Sequence, residues 1–128
     1  MKILFVEDSG IMRKSMIKMA TASGYKTVEA ENGAEALARL RKHGSSIDLI
    51  IMDWNMPVMD GYETLLKIKG SQEYSHIPVL MATADGVEED VVKAVKAGAA
   101  GYLIKPFSPE DLVDKIKSLV SPDFSHRP

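Results

Sequence analysis

The chain has 128 residues, room for one domain around one buried core, and its 45% hydrophobic and 27% charged content is that of an ordinary folded globular protein. A net charge of −2 offers no broad basic surface for nucleic acid, and the absence of cysteine excludes disulfides, thiolate zinc sites and thiol nucleophiles. The first apolar run, Ile3 to Val6, is broken at once by Glu7 and Asp8, which is not the form of a signal peptide; with no stretch of membrane-spanning length, the chain reads as cytoplasmic.

Ile3 to Val6 is predicted as a first buried strand, closed by Glu7 and Asp8, with Ser9 or Asp8 able to cap the helix that follows. Met12, Met16 and Met19 recur at helical spacing and predict core packing, whereas Arg13, Lys14 and Lys18 are expected to face solvent. Ser23-Gly24 stops this helix, and Thr27 to Ala30 is a weaker second strand. Asn32-Gly33-Ala34-Glu35 has the N-cap and N3 acid of a capping box and opens a helix to about Lys42, with Ala34, Leu37 and Leu40 inward.

The apolar stretch from Ile47 to Asp53 predicts a third strand buried on both faces and ending on a single acid. Asp60-Gly61-Tyr62-Glu63 repeats the cap-and-acid pattern and starts a helix that turns Leu65 and Ile68 inward. Ile77 to Ala82 is a fourth strand, with Pro78 tolerable only near its start. Val87, Val91, Ala94 and Val95 mark a fourth helix, closed by Gly98, and Ala100 to Ile104 is a fifth strand. Ser108-Pro109-Glu110-Asp111 starts a fifth helix whose apolar side is Leu112, Val113, Ile116, Leu119 and Val120. Residues 121–128 read as a C-terminal tail after one domain over 1–120. Five strands alternating with five helices through short connections imply an α/β fold, a parallel sheet covered by helices on both faces.

Parallel strands point their carboxyl ends the same way, so the residues after each strand collect along one edge. That edge receives Glu7 and Asp8, then Asp53 and Asn55, then Thr83, then Lys105. Crowded carboxylates repel unless a cation joins them. An oxygen-only donor set favours a hard cation, and Mg²⁺ suits it best because it uses few carboxylates and keeps several waters. With the Lys105 point charge and the Thr83 hydroxyl, the set makes a place for a phosphoryl group. Each member also has a plainer explanation: Asp53 as a strand cap, Glu7 and Asp8 as helix-start acids, Thr83 as a loop cap, Lys105 as a solvated lysine. Four coincidences on one edge are harder to accept than one site.

Glu7-Asp8-Ser9, Asp53-Trp54-Asn55-Met56-Pro57-x-Met59-Asp60-Gly61, Ala82-Thr83-Ala84 and Gly98-Ala99-Ala100-Gly101-Tyr102-Leu103-Ile104-Lys105-Pro106-Phe107 resemble, in this order and spacing, the receiver domain of two-component response regulators. The likeness covers essentially the whole chain and is nearest to single-domain chemotaxis regulators. It implies a flavodoxin-like doubly wound five-stranded sheet in order 2-1-3-4-5. It further implies that Asp53 accepts a phosphoryl group from a histidine kinase, and that Asp8 and Asp53 bind Mg²⁺ by carboxylate, Asn55 by its backbone carbonyl and Glu7 through water. Lys105 and Thr83 would hold the phosphoryl oxygens. Movement of Thr83 would let Tyr102 turn inward and change the face formed by the fourth helix, fifth strand and fifth helix, where a protein target docks. A cis Lys105-Pro106 bond is also implied. Read without the resemblance, Tyr102 is equally a half-buried core tyrosine, and Trp54 is either exposed or packed on its loop.

Some positions depart from the family pattern. Glu7 stands where aspartate is common. Asn55 and Asp85, each two residues past a site residue, occupy places that tune how fast an acyl phosphate hydrolyses, and a carboxylate at Asp85 could orient the water. Val87 and Glu88 stand where regulators of the flagellar switch carry two lysines, which puts that partner in doubt, although Ile104 and Lys115 remain compatible with it. Three other assignments compete. An aspartyl-phosphate phosphatase would need an acid where Asn55 stands, a flavin module would need a phosphate loop where Glu7-Asp8-Ser9 stands, and a purely structural module leaves the acids, Thr83 and Lys105 without purpose. The resemblance implies a regulator and not an enzyme, and because Met1 leads directly into the first strand and the fold closes on the fifth helix, the expectation is a stand-alone form in preference to a receiver cut from a larger regulator or relay protein. A separate phosphatase is a further expected partner.

Overall fold

The computed structural model describes residues 1–120. Strands and helices alternate along them: β1 Lys2–Val6, α1 Gly10–Ala22, β2 Lys26–Ala30, α2 Gly33–His43, β3 Leu49–Met52, α3 Gly61–Lys69, β4 Val79–Thr83, α4 Glu88–Lys96, β5 Gly101–Ile104 and α5 Pro109–Val120. The expected tail, residues 121–128, lies outside the described residues, and with it the proposed boundary at 120. All four strand pairings are parallel, and the order is β2-β1-β3-β4-β5, as the family resemblance implied. Among the described residues, no helix is long and apolar enough to cross a membrane.

The central strands β1, β3 and β4 read as unbroken apolar runs because both faces of the sheet are covered. Alternate side chains serve two cores. Leu4, Val6, Ile50, Met52, Val79 and Met81 meet α2, α3 and α4 through Ala36, Leu40, Leu65, Ile68 and Ala94. Ile3, Phe5, Leu49, Ile51, Leu80 and Ala82 meet α1 and α5 through Met16, Ala20, Leu112 and Ile116. The helices start where their caps dictate. Side-chain oxygens of Ser9, Asn32 and Asp60 accept from the amides of Met12, Glu35 and Glu63. At α5, Ser108 and Asp111 exchange side chain–to–amide bonds in both directions.

Four local expectations are corrected. The third strand begins at Leu49, two residues later than predicted. Gly44–Ser46 forms a 3₁₀ turn, and the carboxylate of Asp48 takes the Lys2 amide at 2.9 Å, so the lead-in is spent on a side-chain contact. The fourth strand begins only after Pro78, whose missing N–H cannot join the ladder. Arg13 does not face solvent: it is buried, donating from Nη1 to the Glu7 carbonyl at 2.6 Å and from Nε to Glu29 at 2.8 Å. Finally, the apolar side of α4 is mostly uncovered. Ala94 is buried, but Val95 is exposed, and Val87 is an exposed N-cap preceding the helix.

The loop between β3 and α3 is held close against Asp53. Gly61 donates to the Trp54 carbonyl at 2.7 Å, and a Cβ at Gly61 would lie 2.1 Å from the Asp53 carbonyl oxygen, so only glycine fits there. The same loop contains Val58 at φ 69°, a left-handed conformation for a β-branched residue that is 82% exposed. A valine there carries a backbone penalty of about 1–2 kcal/mol with little packing to offset it. Val58→Asn, which tolerates this region, is therefore expected to raise the unfolding free energy by about 1 kcal/mol in urea titration; an unchanged or lower midpoint would contradict this account of the loop.

Candidate phosphoryl and metal site

The parallel register delivers the expected residues to one edge. Glu7 and Asp8 follow β1, Asp53 follows β3, Thr83 is the last residue of β4, and Lys105 follows β5. Glu7, Asp8 and Asp53 each offer a carboxylate oxygen, and these atoms lie within 4.8 Å of one another. Lys105 Nζ stands between two of them, bonded to Glu7 and 3.4 Å from Asp53 Oδ2. The Lys105-Pro106 bond is cis.

Burial differs across the three acids. Glu7 is 2% exposed, Asp53 partly exposed and Asp8 open to solvent. Burial pushes the Glu7 carboxyl up, the Lys105 ammonium and the Ser9 amide pull it back, and the nearby Asp53 charge pushes it up further. Both Glu7 oxygens are engaged, one by Lys105 and the other by Ser9 N–H at 3.1 Å. Asp53 Oδ1 accepts from the Trp54 amide at 2.7 Å, which fixes the carboxylate's orientation. Asn55, two residues on, is exposed.

Thr83 is fully buried, and its Oγ1 accepts from the Asp85 amide at 3.2 Å. Asp85 in turn has two attachments. Its carboxylate accepts from Val87 N–H at the start of α4, at 3.0 Å, and its backbone carbonyl accepts from the Tyr102 hydroxyl at 2.6 Å. The side chain expected to orient water thus has one oxygen, Oδ1, engaged at the α4 N-terminus. A hydrogen bond to Asp85 is also the largest influence raising the carboxyl pKa of Asp90 on that helix. Tyr102 is half-buried, and burial together with the negative charges of Asp85, Asp90 and Asp53 pushes its phenol up to about 12, so it stays a donor at neutral pH.

Two contributors escape a reading of the sequence. Arg13 ties the backbone of Glu7 to α1, and its position is a clue in retrospect: Arg13, Met16 and Ala20 lie on one buried helical stripe. Trp54 is 8% exposed and stacks on Tyr62 in the first turn of α3, with ring centroids 5.4 Å apart, so it is packed and not exposed. Nothing in the spacing distinguishes that from exposure. A cavity of about 510 Å³ bordered by Met1, Ile47 and Pro78 lies at the opposite end of the strands, away from the acids.

The donor set fits a hard divalent cation: oxygen only, closely grouped, with the Asp8 side open to retained waters. Comparison with known proteins agrees. Residues 3–117 match the response regulator receiver domain model. The chain is 38% identical over 121 residues to a chemotaxis protein CheY homolog of Campylobacter jejuni, covering 94% of this chain and 92% of that protein. Its fold is similar, at a TM-score of 0.87 and 28% identity, to a chain in the CheX-CheY-BeF3-Mg²⁺ complex of Borrelia burgdorferi, covering 91% of this chain and 87% of that one. It is also similar, at a TM-score of 0.84 and 27% identity, to the receiver domain of a sensor histidine kinase of Pseudomonas aeruginosa with magnesium coordinated in the active-site cleft, covering 93% and 96%. Trp54, the one tryptophan, adjoins Asp53. Its emission is expected to change saturably on Mg²⁺ addition at constant ionic strength, with Asp8→Asn weakening the apparent affinity roughly tenfold or more; an undiminished response in that variant would exclude Asp8 as a ligand.

Proposed function

The chain belongs to the response regulator receiver domain family and is related to the CheY chemotaxis regulators, and from that premise we propose that it is a signalling switch set by phosphorylation of Asp53. The observation that carries this is the Lys105 ammonium 3.4 Å from Asp53 Oδ2, beside three carboxylates whose oxygens converge within 4.8 Å. A carboxylate oxygen of Asp53 attacks the phosphorus of a phosphohistidine on a partner kinase. The O–P bond forms as the P–N bond breaks, and the imidazole leaves, taking a proton from solvent. Asp8 and Asp53 would hold Mg²⁺ by carboxylate, Asn55 by its backbone carbonyl and Glu7, its oxygens already engaged, through water. When bound, the ion neutralises charge between the carboxylate and the phosphoryl oxygens.

Lys105 then exchanges its carboxylate contact for a phosphoryl oxygen, and the Thr83 hydroxyl donates to another. Moving Thr83 gives up the bond from the Asp85 amide, and the Asp85 carbonyl is what holds the Tyr102 hydroxyl. Two successive hydrogen bonds therefore connect the phosphoryl site to β5, so that Tyr102 turns inward and the α4–β5–α5 face changes for a protein target. The protein is a regulator that catalyses only its own phosphorylation and dephosphorylation, with a separate phosphatase as a further partner. The same site would serve a stand-alone cytoplasmic regulator and a receiver within a longer relay protein.

Incubation with Mg²⁺ and a small-molecule phosphodonor is expected to give a single labile phosphoryl adduct by intact mass, absent without Mg²⁺ and absent in Asp53→Asn. No adduct under any condition would overturn the proposal. The adduct of the unmodified chain is expected to last on the order of a minute or less, and Asp85→Asn, which keeps a capping oxygen for Val87 but removes the charge, is expected to lengthen it severalfold. Persistence for hours would remove Asp85 from rate control.

A further inference from the structure

Exposed apolar surface is unevenly distributed. Of eight large apolar side chains exposed among the described residues, four are Val87, Val92, Val95 and Ile104, on α4, its N-cap and β5. Lys93 orients the helix, because its Nζ lies 4.4 Å from the centroid of the Tyr62 ring and so faces α3. At about 100° per residue, Val91 and Val95 come out on the opposite flank, toward β5. The approach to α4 packs on the end of that strand: a Cβ at Gly86 would lie 3.3 Å from Ile104 Cδ1. Val87 and Ile104 are therefore parts of one surface.

The charge on this surface has one dominant sign. Val87 and Val92 border a groove of about 440 Å³ together with Glu88 and Glu89. On the far side of β5, Leu103 borders a second groove of about 330 Å³ with Asp111, Asp114 and Lys115. Four acids and one lysine thus line the two grooves, and Lys96, one turn beyond Val92, adds a second cation at the rim. An anionic membrane or nucleic acid is repelled by this arrangement, and a second copy of the face would set acids against acids.

We propose that the α4–β5–α5 face docks a basic amphipathic segment of a partner protein, its apolar side chains covering Val87, Val92, Val95 and Ile104 and its Lys or Arg residues meeting Glu88, Glu89, Asp111 and Asp114. The proposal rests on the assignment of this face as the output of the Asp53 switch, and it names the chemistry of the target. Charge complementarity supplies the selectivity and apolar cover supplies most of the affinity.

The test uses the full chain and three synthetic peptides of equal length: an amphipathic Leu/Lys sequence, its Leu/Glu counterpart, and a Ser/Lys sequence of the same charge. Binding is followed by fluorescence anisotropy and amide shift mapping, with and without Mg²⁺ and beryllofluoride. The Leu/Lys peptide is expected to bind with shifts confined to α4, β5 and α5, and the other two to bind at least about tenfold more weakly. Glu88→Lys with Glu89→Lys is expected to reverse the preference toward Leu/Glu while leaving the Asp53 adduct intact by mass. Equal or tighter binding of the Leu/Glu peptide, or shifts centred on Glu7, Asp8 and Asp53, would overturn the proposal. Equal Leu/Lys binding with and without beryllofluoride would support the surface chemistry while counting against control by Asp53. Failure of every peptide to bind a chain whose α4 resonances do respond to beryllofluoride would overturn the surface chemistry and leave the switch standing.

Discussion

The contact on which the rest depends is the ammonium of Lys105 set between Glu7 and Asp53. A parallel sheet leaves no choice about where the ends of β1, β3 and β5 fall, so acids placed after the first two strands must crowd together. Glu7 is almost wholly buried, and a buried carboxylate without a partner is costly by several kcal/mol. Lys105 offsets that cost from the end of the edge strand β5, 98 residues away in sequence. In the proposed phosphorylation, the same point charge would meet an incoming phosphoryl oxygen. One interaction therefore serves both the resting fold and the proposed chemistry.

Around that contact, rigid and yielding parts are separated. Asp53 is held from three sides: by the fully buried β3 before it, by the Trp54 amide on its own carboxylate, and by Gly61 packed against its carbonyl. Arg13 pins the Glu7 backbone in the same manner. On the β4 side the connections are single hydrogen bonds, Asp85 amide to Thr83 and Tyr102 hydroxyl to the Asp85 carbonyl, leading to a helix with one buried residue. Under the proposed phosphorylation of Asp53, the change would be absorbed where resistance is least, along β4, α4 and β5. α4 is also the helix that shows Val92, Val95, Glu88 and Glu89 to solvent.

Much of this was legible in the sequence because it depends on local rules. Apolar runs, with side-chain caps at four of the five helices, indicated the order of strands and helices, and parallel alternation gathered Glu7, Asp8, Asp53, Thr83 and Lys105 to one edge. Ser9, Asn32, Asp60 and Ser108 cap as their spacing predicted. What was not legible depends on tertiary context. Arg13 looks like a solvated base until Glu29 and the Glu7 carbonyl are placed around it. Val87 and Val95 look like core positions until the small contact area of α4 is seen, and one oxygen of the Asp85 carboxylate accepts from Val87 N–H, a preference that composition does not reveal. Strand ends shifted where a side chain took a backbone partner, as Asp48 does with Lys2, or where Pro78 withheld one.

The most direct test is a double-mutant cycle on urea stability without Mg²⁺, comparing Glu7→Gln, Lys105→Met and the pair. If the Lys105 ammonium is what makes the buried acid tolerable, Lys105→Met alone will be strongly destabilising, the second substitution will recover much of the loss, and the coupling will exceed about 1 kcal/mol. Additive losses with no coupling would mean that the acids and the lysine stand side by side without depending on each other, and the organising role given to their contact would be wrong.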